Sequence, residues 1–305
     1  MARRLSLFAV ALAIVAFAVY WWLTMPSTVA AGTLPAHTPD LANGKTVFNA
    51  AGCASCHAVP TQQDRTRLGG GLPLTSPFGT FYAPNISPDP NDGIGQWTEA
   101  QFVKAVVHGV APDGAHYFPA FPYTSYHSAK IADVRDLFAY IKTLPPVSGK
   151  APDHAVGFPF NIRRNIGIWK LLFMDRQPPV MDAARSPQWN RGAYLVNVLG
   201  HCAECHSPRN MLGGIITAQR FAGGPNPEGK GWVPNITQKN LADWSDKDLA
   251  YFLESGLLPD GDSAGGSMAS VIKNTSQLSA DDRAAMAVYL KSLPAVEGPK
   301  RPQSK

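Results

Sequence analysis

The chain has 305 residues, of which 45% are hydrophobic and 16% charged, and that composition excludes a disordered solvating chain. At roughly 100–200 residues per domain, there is room for two domains, each with its own core. The formal charge of +5 suits an acidic partner or a lipid surface; with no long Lys/Arg run, nucleic acid is set aside as a partner.

Arg3 and Arg4 are followed by a charge-free run of 21 residues from Leu5 to Met25, ended by Pro26. A helix needs about 20 such residues to cross the hydrocarbon core. A cleaved secretory signal is the plainer alternative, because its apolar region is usually about 7–15 residues and Val29, Ala30 and Ala31 are small enough for a cleavage site. The greater length of this run favours a retained single transmembrane anchor over residues 1–26, and Tyr20-Trp21-Trp22 suits an interfacial aromatic belt. The arginines then stay cytoplasmic. Everything after Pro26 lies on the periplasmic side of a bacterial inner membrane.

All four cysteines fall in two clusters, Cys53-Ala-Ser-Cys56-His57 and Cys202-Ala-Glu-Cys205-His206. Each is a complete C-x-x-C-H, the attachment signature of c-type haem. The cysteines form thioethers to the haem vinyl groups, and the adjacent histidine is thereby placed as the proximal iron ligand. A structural zinc site would need its two cysteine pairs about 15–20 residues apart. Here Cys53 and Cys202 are separated by 149. Disulfides or a redox-active pair do not explain a histidine directly after both. The reading is two covalently bound haem c groups, held by Cys53, Cys56 and His57 and by Cys202, Cys205 and His206.

The second half restates the first at an offset of 147–150 residues. Pro84-Asn85-Ile86 recurs as Pro234-Asn235-Ile236, Trp97-Thr98 as Trp244-Ser245, and Pro112-Asp113-Gly114 as Pro259-Asp260-Gly261. Within each unit the pattern predicts a helix leading into the haem motif, at 40–52 and 189–200, with Gly44 and Gly192 where it can approach another helix closely. A second helix starts at a capping box, Thr98 with Gln101 and Ser245 with Asp248, and ends at Gly109 or Gly256. A last helix covers 130–143 and 280–292, stopped by Leu-Pro both times. Few strand signals appear. The fold class is all-α: two tandem cytochrome c domains, 27–145 and 188–296, behind a single N-terminal transmembrane helix.

The connection 146–187 has no counterpart after the second unit, where only a tail, 297–305, remains. Its basic residues interleave with Ile168, Trp169, Leu171 and Phe173. It is read either as a linker packed across both domains or as a contact with lipid or a partner subunit. Asp89, Asp92 and Asp113 lie among Gly and Pro as turn formers, without the spacing of a calcium loop.

A haem iron with one histidine takes a second axial ligand or keeps an open face. In the second unit Met268 is assigned to that position ahead of Met211, which follows His206 too closely, and Met286, which sits on the apolar face of the last helix. Shifting Met268 back by the local offset of 147 lands on Phe121, which cannot ligate iron, and no Met lies between His57 and Met174. His116 ranks first as the substitute ligand of the first iron, with His127, His108 and an open site behind it.

The segments Phe78-Gly-Thr-Phe-Tyr-Ala-Pro-Asn-Ile86, Gly93-Ile-Gly-Gln-Trp97, Tyr117-Phe-Pro-Ala-Phe-Pro-Tyr123 and Cys205-His-Ser-Pro-Arg-Asn210 resemble the cytochrome c subunits of membrane-bound bacterial dehydrogenases of the alcohol, aldehyde and gluconate type. The likeness covers about residues 40–295. Many of those subunits carry three haems and read Pro-Ala-Met where this chain has Phe121. The resemblance implies an electron-transfer subunit rather than an enzyme. It would take electrons from a periplasmic or membrane dehydrogenase subunit, or from quinol, and pass them to a quinone, a cytochrome c or an oxidase. The alternative is a dihaem peroxidase whose first haem is open to hydrogen peroxide.

Overall fold

In the computed structural model, residues 2–28, 34–174, 181–229 and 231–301 are described. The cleavage candidates Val29, Ala30 and Ala31, part of the connection (175–180) and the end of the tail (302–305) lie outside them. Helix α1 (Ala2–Leu23) is continuous, has no buried residue, and is long and apolar enough to cross a membrane.

The first unit begins with α2 (Leu41–Ala50), started by the Asp40 carboxylate, which accepts from the backbone N–H groups of Ala42 and Asn43. Gly52, in the left-handed conformation at φ +64°, turns the chain into the short α3 (Cys53–His57) that carries the first haem motif. Strands β1 (Pro73–Ser76) and β2 (Gly79–Tyr82) form a hairpin. Helix α4 (Glu99–His108) has the expected reciprocal capping box, Thr98 with Gln101, and ends on left-handed Gly109. Helices α5 (Tyr123–Tyr126) and α6 (Ile131–Ile141) follow, and β3 (Ala155–Val156) adds antiparallel to β2. The connection forms α7 (Ile166–Phe173).

In the second unit α8 (Pro187–Tyr194) widens into a π-helical turn over 195–199 before α9 (Ala203–His206). A two-stranded ribbon, β4 (Gly224–Pro225) with β5 (Trp232–Val233), precedes α10 (Gln238–Leu241). Helix α11 (Asp246–Ser255) is capped by Ser245 and Asp248 and ends on Gly256. Helices α12 (Gly266–Thr275) and α13 (Ala280–Lys291) complete the unit.

Two helix crossings set the scaffold. A Cβ on Gly44 would run into the Asp136 carbonyl and Tyr140 on α6, and one on Gly192 into the Ala285 carbonyl and Tyr289 on α13. Only glycine allows α2 and α8 to approach so closely. Met286 is 3% exposed, a core residue as expected. One contiguous buried cluster spans both units, from Phe48, Val103 and Leu137 to Leu199, Leu253 and Leu290. The protein is mostly helical; the two small sheets were not anticipated, because strands of two to four residues leave no alternating pattern to read.

Candidate haem sites

Both histidines of the C-x-x-C-H motifs are fixed in the same way. Nδ1 of His57 donates to the Pro84 carbonyl at 2.9 Å, and Nδ1 of His206 donates to the Pro234 carbonyl at 2.8 Å. With Nδ1–H committed, Nε2 keeps its lone pair for a metal. Burial holds both imidazoles below the ordinary histidine range, against the opposing proline hydrogen bonds, so they are neutral as an iron ligand requires. Burial also pushes the thiols up, to about 12 for Cys53 and Cys202 and about 11 for Cys205. Burial outweighs the guanidinium groups of Arg220 near Cys202 and Arg209 near Cys205, which pull those two thiols the other way. Pro84 and Pro234 stood out in the sequence only as a repeat; their role in orienting the ligands appears with the fold.

Next to Cys53, Cys56 and His57 lies a cavity of about 1320 Å3. Its walls include Ile94, Phe102 and Leu137 of the core and Phe118 and Phe121 of the loop before α5. Arg163 lines it too, and one of its buried guanidinium nitrogens has no partner. An apolar chamber of this size, with a cysteine pair and a neutral histidine on one wall and, on another, a guanidinium that donates to the His116 carbonyl but keeps one nitrogen without a partner, fits a haem: a flat apolar macrocycle bearing two carboxylates.

The structure also tests the ligand offset. The β-bridge Val110–His116 in the first unit matches Leu257–Ser263 in the second, a shift of 147, so Phe121 and Met268 each stand five residues past the bridge, Phe121 in the loop before α5 and Met268 in α12. Phe121 packs in an aromatic cage with Tyr117, Tyr123 and Tyr126 at ring distances of 5.8, 6.3 and 5.9 Å. Met268 sits half-buried in the first turn of α12.

His116 is not brought to the cavity. Its Nε2 donates to the Thr24 carbonyl at 2.9 Å, and its Nδ1 accepts from Lys170 Nζ at 3.2 Å. Both ring nitrogens are therefore engaged on the far side of the loop, which corrects the ranking that put His116 first. The spacing placed it near the expected ligand position, but its side chain is buried between the end of α1 and Lys170. His127 and His108 do not line the cavity either; besides His57, the histidines that do are His154 and His201. Met211 is 95% exposed. Asp89 and Asp113 accept backbone N–H groups two residues on, as turn formers, and no group of three His, Cys, Asp or Glu suited to a metal occurs among the described residues.

Each haem motif is bonded to the other unit, which the sequence did not reveal. Ser55, inside the first motif, accepts from Asn274 Nδ2 of α12 at 2.6 Å. Glu204, inside the second, accepts from the hydroxyls of Thr124 at 2.7 Å and Ser125 at 3.1 Å, on α5. Burial pushes the Glu204 carboxyl up, but Arg209 and these hydroxyls outweigh it and hold the group below its ordinary value, ionised. Tyr126 donates to the Ala51 carbonyl at 2.9 Å and packs edge-on against His201 at 5.6 Å. Each motif thus sends a side chain into the helix that follows the other unit's ligand loop.

This repeated unit, with a cysteine pair, a proline-held histidine and a three-helix frame, defines a haem-binding c-type cytochrome. The family model described as cytochrome c matches residues 41–145 and again 190–294, and the chain belongs to that family. It is 48% identical over 297 residues to a "Diheme cytochrome c-type" of Cereibacter sphaeroides, covering 97% of this chain and all of that one. It is 40% identical to the fructose dehydrogenase cytochrome subunit of Gluconobacter japonicus and 37% identical to the cytochrome c subunit of the alcohol dehydrogenase (quinone) of Gluconobacter oxydans. Those matches cover 85% and 86% of this chain but only 54% and 57% of the two subunits, so it spans about half their length. The resemblance read from the motifs is borne out, and the protein is an electron-transfer component.

Proposed function

We propose that the chain is a membrane-anchored, periplasmic cytochrome with two covalently bound haem c groups that relays single electrons. It takes them from a dehydrogenase subunit or quinol and passes them to a quinone, a cytochrome c or an oxidase. The haems, when bound, supply the one-electron chemistry. The chain's own residues attach, orient and shield them. Cys53 with Cys56 and Cys202 with Cys205 would hold the two haems through thioethers, His57 and His206 would bind the irons through Nε2, and Met268 would supply a further iron ligand in the second unit. The first unit has Phe121 at that position, and its iron takes no thioether. Arg163 supplies a charge partner for a carboxylate in the first cavity.

The observation that supports the relay is that each motif is bonded to the other unit, Ser55 to Asn274 of α12 and Glu204 to Thr124 of α5, so both motifs lie along the boundary between the units. The relatives named as dehydrogenase cytochrome subunits support a dehydrogenase as the donor.

Two measurements test the reading. Intact-mass analysis should show two haem additions that survive denaturation. An electron injected into one haem by pulse radiolysis should reach the other at a rate independent of protein concentration. A single haem addition, or a rate that rises with concentration, overturns it.

A further inference from the structure

The end of α1 is built into the first unit. Thr24 is fully buried; its carbonyl accepts from His116, and its hydroxyl accepts from Arg164 Nε at 2.7 Å. Arg164 also donates to the Trp21 carbonyl at 2.6 Å and lies 4.0 Å over the Trp21 ring. The Tyr20 hydroxyl donates to Asn165 Oδ1 at 2.8 Å. Gly167 has no side chain to hold Thr24 away; a Cβ there would come within 2.7 Å of the Thr24 Cβ. Residues 164–167 therefore clamp the last turn of the apolar helix, and the guanidinium satisfies the Trp21 carbonyl, one of those a helix C-terminus leaves open.

The same stretch carries apolar surface that none of the described residues covers. Phe158 is 80% exposed and Leu172 is 63% exposed, with Phe160, Ile162 and Leu171 exposed beside them. Between 157 and 174 the charged residues are Arg163, Arg164 and Lys170, with no acidic residue among them. Large apolar side chains beside a purely basic set, with a tryptophan, make the pattern of a segment that lies in a membrane interface. Continuity with α1 sets the depth. Trp21 belongs to the aromatic belt of that helix, Arg164 stacks on it, and α7 starts two residues later. At 1.5 Å rise per residue, the eight residues of α7 extend about 12 Å from that level.

We propose that residues 157–173 are a second membrane contact, an interfacial seat clamped to the end of α1 that rests on an anionic lipid surface with Phe158, Ile162 and Leu172 in the headgroup–acyl boundary. The inference rests on α1 being a retained anchor. Because Ile168, Trp169 and Leu172 also line the large cavity, the seat holds the first haem unit against the bilayer at a fixed height instead of leaving it on a tether.

The test uses the full chain in vesicles of phosphatidylethanolamine and phosphatidylglycerol containing a diazirine-bearing phospholipid. After photolysis, lipid adducts should map to 157–173 as well as to 2–25. In the double variant Phe158→Glu/Ile162→Glu, whose two side chains are exposed and do not line the cavity, the adducts on 157–173 should be lost while those on 2–25 and the spectra of both haems stay unchanged. Adducts confined to 2–25 in the unmutated protein overturn the seat and leave the anchor standing. A mature chain whose mass begins after Pro26 overturns the anchor and, with it, a seat clamped to the end of α1.

Discussion

In both units a histidine donates Nδ1–H to a proline carbonyl, a glycine lets two helices touch, and a capping box opens the helix before the ligand loop. The ligand loops differ. Five residues past the β-bridge the second unit has Met268, whereas the first has Phe121 in a cage of three tyrosines. At the bridge itself the second unit has exposed Ser263 and the first has buried His116, tied to the end of α1. The lesson is that the proximal side is dictated by the scaffold, while the distal side is free to vary. A loop side chain can be exchanged without moving a helix, and a thioether raises the potential of a haem where its absence does not.

The largest expected effect breaks the difference directly. Met268→Ala should abolish the weak near-infrared band of sulfur–iron ligation in the ferric protein completely, leaving the first haem unchanged. The reverse exchange, Phe121→Met, should add a second such band and raise the potential of the first haem, read by redox titration. A band that persists in Met268→Ala would show that the sulfur ligand lies elsewhere.

The shared scaffold is tested by Gly192→Ala and Gly44→Ala. Each new Cβ meets a backbone carbonyl that cannot swing aside. Each should cost about 3 kcal/mol, the upper end for overpacking, seen as a lower denaturation midpoint with an unchanged slope. Equal losses would mean that the two crossings matter equally; a small loss in one unit would show that its helix pair can separate.

The smallest effect separates His116 from ligation. His116→Ala leaves the buried Thr24 carbonyl without its donor, which should cost about 1–2 kcal/mol in thermal unfolding. The spectrum of the first haem should not change. A shift of that haem to high spin would restore His116 as a ligand and contradict the geometry.

Much of this was legible in the chain because it is local or repeated. The capping residues Thr98 and Ser245, the stop glycines Gly109 and Gly256, and the two haem motifs act within a few residues of themselves. The near-constant offset between the halves also turned one chain into two aligned copies, which exposed the Phe121–Met268 difference. His116 shows where such reading stops. Its spacing from the haem motif was right for a ligand, but which way a side chain points depends on a bridge to Val110 and on a carbonyl 92 positions earlier. The short strands and α7 were missed for a related reason: their stability comes from what packs on them, not from their own period.

The sequence by itself determined the haem-binding class, the two-unit plan, the helix caps and the apolar N-terminal helix. Each rests on covalent chemistry or on hydrogen bonds and hydrophobic spacing within one element. Only the tertiary structure decided that Pro84 and Pro234 orient the histidines, that Ser55 and Glu204 tie each motif to the other unit, and that His116 is tied to the end of α1. Those roles need residues far apart in the chain to meet. No local pattern records such meetings, because the free energy that selects them comes from burial and pairing across the whole fold.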